Sequence, residues 1–575
     1  MKRCLQSWVK PRNSNFTGRE EILERIGLSF KNERGEPTAL IGTDGLGKTE
    51  TALEYACRHA DEYTLVWWVD AACEASIMES YRQFAQMSGA EIPATAEACI
   101  RAVRDWTRTQ EGWLFIFDDL RDKDIFERYA PSVGKGDLLL TSSVEDTWGK
   151  DIRLLPLKEE EAVRLLSAES GLPPQEMEEL ARALGTCPLV LGQAAAYLAI
   201  HQDSPRDYLE NFRLSESRIP EDWGLNPGER RHYACLSLAL NGMRDEGARQ
   251  LFSFLGCFAP TPIQGCWLKY ACDAGLPLPL QETLSDERQY ELAVMELERC
   301  RLIHRTNDKR LLLNRLTQEC LVKSGAADLW PAACTHLLNR FVDYDFTAPE
   351  AVDRFLERAP HILVMAERLA DEGRLQAAAQ GDYFLGFGFK AAGNYRQALK
   401  GYGKALSLDK KRDDAALDMA ATYNELGVTL SSLGLQRQAL KQYRAALAIY
   451  EASPGISGQM AAATVCNSMA EAYKELDELE RLPEFQRKAL SIRAAILGEN
   501  HPQTAASHNM LATAYYLLER YEEAVKEYLL AYKALRLLQG ESYPDTVAVR
   551  ENLAVAYEAA GYPLPFETWL SLKTP

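Results

Sequence analysis

The stretch 40–56, LIGTDGLGKTETALEYA, narrows the folds open to this chain more than any other feature. It holds the pattern G-x-x-x-x-G-K-T, made by Gly42, Gly47, Lys48 and Thr49. The apolar run Thr38–Ala39–Leu40–Ile41 ahead of it reads as a buried strand, and KTETALEYACRHA after it reads as a helix. A strand that turns through glycines into a helix N-terminus aims successive backbone N–H groups at one point, which suits phosphate oxygens. Gly42, Gly45 and Gly47 supply the curl, with Thr43, Leu46 and Glu50 completing the loop and first turn. Lys48 offers a point charge between the β- and γ-phosphates, and Thr49 a hydroxyl for Mg²⁺.

Downstream the chain alternates compact apolar runs with helical stretches. YTLVWWVDA (63–71), GWLFIFDDL (112–120) and GDLLLTSS (136–143) read as strands. The βαβα order predicts a mostly parallel sheet, whose reactive residues collect at the C-terminal strand ends. Asp118 and Asp119 therefore lie near the phosphate loop, together with Thr141–Ser143. Asp118 is the candidate holder of the metal's water shell. Asp119 is the candidate catalytic residue, orienting an attacking water.

At 575 residues the chain exceeds one hydrophobic core and predicts two to five domains. Its net charge of −18 argues against a broad nucleic-acid or anionic-membrane footprint. The thirteen cysteines form no C-x-x-C and no ligand cluster with the histidines, which predicts reduced thiols in a cytoplasmic protein. No run of about eighteen apolar residues occurs, so no membrane span is expected.

Residues 156–222 read as helices. Within 223–325, LIHRT, the turn NDK and LLLNRL predict a hairpin followed by a helix. Arg299, Arg301, His304, Arg305, Lys309, Arg310 and Arg315 cluster there, but no basic recognition helix stands out. After a helical bridge at 326–375, four segments align, starting at Leu385, Leu426, Met469 and Leu511, and a fifth start opens at Leu553, with spacings of 41 to 43 residues. Small residues follow each start (Gly386, Gly427, Ala470, Ala512, Ala554), and steps such as Ala398–Tyr402–Ala405 recur. Small residues at fixed helical positions let paired helices approach, and the aromatics fill the gap between them. The array at 376–575 resembles the tetratricopeptide repeat in a long form of about 42 residues. Such arrays bind proteins or peptides, or serve as spacers. Asn424, Asn467 and Asn509 recur two residues before their unit starts, with Asn552 one before its own, either as a clamp for an extended partner or as helix packing.

FTGREEILERI lies just before the loop and GTCPLVL well behind it. In this order around a full phosphate loop and a DD strand, they resemble the NB-ARC branch of the STAND NTPases. The resemblance implies a multidomain α/β plus α fold. A parallel-sheet P-loop domain (16–155) would follow a short segment (1–15) and precede a helical lid, a winged-helix domain and the α-solenoid. It places Phe16, Thr17, Gly18 and Arg19 beside the adenine, and Pro188 against it. It also implies ATP/ADP and Mg²⁺ as cofactors. Two positions depart from the pattern. Ser143 stands where an arginine senses the γ-phosphate, removing a charge-assisted contact. Asn314 stands where a histidine holds the diphosphate; its amide can donate to a phosphate oxygen but carries no charge, and the alternative is that it merely caps a turn. Weaker triphosphate discrimination, slow hydrolysis and a looser ADP hold are expected.

The function expected from this resemblance is an ATP/ADP-dependent signalling switch, in immunity or defence. The repeats would sense a protein or peptide ligand, and nucleotide exchange would drive opening and self-oligomerisation. The alternative is an interaction scaffold with a degenerate, structural nucleotide site. Only about fifteen residues precede Phe16, so the expectation is either a separate effector partner that carries the output or a trimmed form of the chain. No nucleic-acid or membrane partner is expected.

Overall fold

The computed structural model describes residues 5–7, 11–32, 36–88, 95–132, 134–145, 148–453 and 455–574. Part of the short N-terminal segment expected at 1–15 lies outside these residues. The chain divides into two compact units, Met1–Asn394 and Tyr395–Pro575.

The first unit is built on a six-stranded sheet: β1 (Leu5–Ser7), β2 (Thr38–Ile41), β3 (Leu65–Asp70), β4 (Trp113–Asp118), β5 (Asp137–Ser142) and β6 (Lys150–Arg153). Their order is β1-β3-β4-β5-β2-β6, and every pairing is parallel. The three runs read as strands form β3, β4 and β5, with Trp113, Leu114, Phe115, Ile116 and Phe117 all fully buried. Strands covered on both faces need such continuous apolar runs. β5 separates the loop-bearing β2 from β4, so Thr141 on β5 stands between the phosphate loop and Asp118. β1 and β6 are edge strands that sequence reading did not find. β6 reads KDIR and buries only Ile152, because an edge strand is charged wherever it faces water.

Beyond the sheet, helices Glu159–Ser170, Glu178–Leu184, Pro188–His201 and Pro205–Ser217 share a core with Leu166, Leu180, Leu191, Leu198 and Phe212. That core continues into helix Pro227–Gly242 through Ala234 and Cys235. The expected hairpin is present as antiparallel β7 (Ile303–Arg305) and β8 (Leu311–Leu313), followed by helix Arg315–Lys323. Ile263 bridges Leu311 from the other side of the hairpin. Helix Pro349–Asp371 packs on helix Glu74–Met87, where Arg82 Nε lies 2.5 Å from Asp353 Oδ1.

The second unit is helical throughout, with antiparallel pairs such as Ala416–Ser432 with Gln436–Ala452 and Pro502–Leu517 with Tyr521–Gln539. The small-aromatic-small steps lie inside: Ala398, Tyr402, Ala405, Ala439, Tyr443, Ala446, Ala524, Tyr528 and Ala531 are all buried. A Cβ at Gly427 would lie 2.4 Å from Tyr443 Cε1, so the ring occupies the space that the glycine leaves. The asparagine register is not uniform. With its amide oriented to satisfy both ends, Asn467 donates to Gln486 Oε1 at 3.0 Å and accepts from Arg493 at 2.9 and 3.0 Å. Asn424 and Asn509 keep buried side-chain oxygens without a partner among the described residues, and Asn552 is exposed.

Candidate nucleotide-binding site

Gly47 ends the glycine loop at φ 82°, capping helix Lys48–Arg58, and Gly45 is also left-handed at φ 85°. Both conformations favour glycine because a Cβ would crowd the following carbonyl. Lys48 is nearly buried, and its Nζ donates to Gly42 O at 2.7 Å, Thr43 O at 3.1 Å and Asp44 Oδ1 at 3.2 Å.

Neighbouring elements brace this loop. Arg19, itself at φ 67°, donates from Nη2 to Leu46 O at 3.1 Å. Burial lowers its guanidinium pKa. A Cβ on the preceding Gly18 would strike Glu161 at 2.7 Å. Opposite, Leu189 N donates to Gly45 O at 3.3 Å, and Pro188 opens helix Pro188–His201 with its ring 4.0 Å from the Cβ position of Gly47.

The acidic strand end meets the loop through hydroxyls. Asp118 Oδ1 accepts from Thr49 Oγ1 at 2.8 Å and from Thr141 Oγ1 at 2.6 Å. Thr141 Oγ1 also accepts from the N–H of Asp119, a residue at φ 62°, at 2.8 Å. Asp70 is half-buried at the end of β3, and desolvation there pushes its carboxyl up to about 6. Three carboxylates thus stand at the C-terminal ends of β3 and β4, as a parallel sheet allows.

Asp119 is held on both sides. Arg121 Nε donates to Oδ1 at 3.2 Å, while Arg315 places Nε and Nη2 each 2.7 Å from Oδ2. Arg121 Nη2 reaches Asp44 Oδ2 at 2.9 Å, and Asp44 Oδ1 contacts Lys48. A continuous relay of ion pairs therefore runs Lys48–Asp44–Arg121–Asp119–Arg315, from the phosphate loop to the helix after the hairpin.

Lys48, Asp44, Asp119 and Arg315 of the relay face a cavity of about 570 Å³, with Arg121 behind its lining. Of the residues singled out from sequence, Phe16, Thr17, Arg19, Gly45, Leu46, Gly47, Lys48, Thr49, Glu50, Asp118, Asp119, Pro188 and Asn314 line it. Gly42 and Thr43 contact Lys48 from behind, Gly18 sits under Arg19, and Ser143 is not in the lining. Thr141 lines the cavity from β5 instead. Asn314 uses its side-chain oxygen to cap helix Arg315–Lys323, accepting from Leu316 N at 2.9 Å.

Sequence reading missed Asp44, Asp70, Arg121 and Arg315 as site residues, and also Glu169 and Arg301, which line the same cavity. Arg121 was within reach, since it follows the DD pair by two residues. Glu169 carried no local signal. Much of the basic cluster around the hairpin is internally paired: Arg301 with Glu169, Arg305 with Glu291 and Glu298, Arg310 with Glu79 and Asp308.

For a divalent cation, Thr49 Oγ1 and Asp118 Oδ1 form a two-oxygen set beside the loop. No group of three or more metal-ligating side chains occurs among the described residues. Mg²⁺ characteristically takes one or two protein oxygens plus phosphates and water, so the donor set fits. Among the described residues no helix is long and apolar enough to cross a membrane.

Two tetratricopeptide repeat models match this chain, over residues 419–453 and 459–537. A nucleotide-binding leucine-rich repeat (NLR)-like protein of Hyaloscypha variabilis is 26% identical over 239 residues, covering 35% of this chain and 24% of the relative. The match thus spans about a quarter of that relative's length. Among solved structures, a Signal Transduction ATPase with Numerous Domains (STAND) protein with a tetratricopeptide repeat sensor from Pyrococcus horikoshii is 16% identical. It covers 96% of this chain and 88% of its own, with a TM-score of 0.36. BtubC from P. vanneervenii is 25% identical over 37% of this chain and 85% of its own, with a TM-score of 0.32.

Proposed function

We propose that this chain, with the architecture of a STAND NTPase ending in tetratricopeptide repeats, is a nucleotide-gated signalling switch. The observation that carries the reading is the ion-pair relay ending on Lys48. A phosphate entering the loop competes with Asp44 for the Lys48 ammonium. Asp44 then changes its hold on Arg121, and Asp119 is redivided between Arg121 and Arg315. The nucleotide's phosphates are thereby read by the winged-helix segment.

In this reading residues 16–155 bind the nucleotide, 156–222 form a lid, 223–325 the winged-helix domain, 326–375 a bridge and 376–575 the sensor. Gly42–Glu50 hold the phosphates of ATP or ADP, while Thr49 and Asp118 hold Mg²⁺, which neutralises phosphate charge. Phe16, Thr17 and Pro188 border the base. Asp119 orients water only after Arg121 and Arg315 release it, so hydrolysis is slow. A protein or peptide ligand on the repeats and ATP both favour an open state, so each raises the other's affinity. Opening exposes a surface for self-association, with a separate effector protein carrying the output, in the immune or defence setting of NLR-like proteins.

A second reading, a scaffold with a structural nucleotide site, is favoured by one feature: Ser143, standing where the resemblance puts a phosphate-sensing arginine, does not line the cavity. The two separate on the nucleotide content of the purified chain and its mass by light scattering. The switch predicts bound adenine nucleotide, its loss in Lys48→Ala, and a larger particle after exchange to ATP with ligand present. A Lys48→Ala chain that keeps full partner binding and cellular output supports the scaffold.

A further inference from the structure

Glu169 ends the helix Glu159–Ser170, and its side chain is 4% exposed. One carboxylate oxygen lies 2.8 Å from Arg301 Nη2. The other, Oε2, is buried and has no hydrogen-bond partner among the described residues. A buried acceptor left unpaired is costly, so such a group marks a place where a donor belongs. Arg301 itself sits at φ 55°, in the turn between helix Glu287–Arg299 and β7, a strained setting for a non-glycine residue.

Both residues line the cavity that holds the phosphate loop. Their place along it follows from helix Pro188–His201. The Pro188 ring is 4.0 Å from the Cβ position of Gly47. Gly192 lies one turn further on, and its own Cβ position is 3.1 Å from Arg301 Nη1 and 3.7 Å from Glu169 Oε2. With about 5.4 Å per helical turn, Glu169 stands on the order of 10 Å beyond the loop, where a nucleoside rather than a phosphate would lie. Any side chain at 192 would fill the approach to the free oxygen.

We propose that Glu169 selects the base of the bound nucleotide, its Oε2 accepting a hydrogen bond from the 6-amino group of adenine while Arg301 fixes the carboxylate. This rests on the nucleotide-binding reading above and adds the residue that sets base choice. A 6-oxo purine turns an acceptor toward an acceptor and is rejected. Sites built around a buried hydrogen bond discriminate strongly because the mismatch leaves both groups unpaired.

The test is equilibrium binding of ADP, purine riboside 5′-diphosphate and IDP to the full chain. Wild type is expected to bind in that order, with ADP at least tenfold tighter than IDP. Glu169→Gln, whose amide can donate to a 6-oxo group, is expected to narrow the gap to about threefold or less. The wild-type ladder stands without the variant, should Glu169→Gln fold poorly. Equal affinity for ADP and IDP, or an unchanged ratio in a folded Glu169→Gln chain, overturns the assignment alone. So does a variant that loses discrimination against 2′-deoxy-ADP instead, since that places the acceptor on the ribose. Failure of wild type to bind any of the nucleotides overturns the nucleotide reading, and this inference with it.

Discussion

Arg315 and Asp119 lie 196 positions apart in sequence, yet two guanidinium nitrogens each stand 2.7 Å from one carboxylate oxygen. The pair joins the end of a sheet strand to the helix behind the hairpin. Both side chains are about one-quarter exposed, so water screens part of the attraction. The coupling energy expected from a double-mutant cycle of Arg315→Ala and Asp119→Asn is about 1 kcal/mol. Additive effects of the two substitutions on the first unfolding transition would remove the pair as a latch.

Thr141 serves two neighbours at once, donating to Asp118 and accepting from the Asp119 N–H. Thr141→Val keeps the shape and removes both bonds. Losing a hydrogen bond to a charged group costs about 1.5–3 kcal/mol. Mg²⁺-dependent nucleotide affinity should therefore fall roughly tenfold or more. Thr141→Ser should retain most of it, and equal affinities for the Val and Ser variants would contradict the assignment.

Glu79 is a pH handle in the first unit. Burial pushes its carboxyl from the ordinary 4.5 up to about 8, against the pull of Arg310 at 3.6 Å; nearby Glu357, Asp70 and Asp308 add to the rise. Between those two values the folded state holds a proton that the unfolded chain has released. Stability from this group therefore falls as pH rises across that window. Glu79→Gln, neutral at every pH, should flatten the fall in melting temperature between pH 5 and 8. Parallel curves for the two proteins would show that Glu79 titrates normally.

In the second unit, Gly427 and Tyr443 share one space. Gly427→Val forces the Tyr443 ring outward, an overpacking that costs about 1–3 kcal/mol. Tyr443→Ala in the same chain should recover part of the loss, measured as a shift in the helical melting transition. No recovery would mean that the damage lies elsewhere.

The strands that were legible from sequence are those buried on both faces, such as WLFIFD, where a continuous apolar run leaves little choice. β1 and β6 were not, being short and at the edges, and KDIR looks like a loop until it pairs with Thr38–Ile41. The loop and the DD pair were legible because their chemistry is local to a few residues. The repeats were legible because the same packing problem is solved again about every 42 residues. The partners of Asp119 and the isolation of Glu169 Oε2 were not, since both arise where segments distant in sequence meet. Asn314 left two readings open, a phosphate contact and a turn cap; its oxygen caps the helix beginning at Arg315, and the residue also lines the cavity.

The central claim is that the phosphates of the nucleotide and the Arg315–Asp119 pair oppose each other through one relay. The most direct measurement is the ratio of ATP to ADP affinity in wild type and in Arg315→Ala, by calorimetry on the full chain. Releasing the latch favours the open state that ATP prefers, so the ratio should rise at least about fivefold in the variant. A ratio unchanged while both nucleotides still bind would contradict the account.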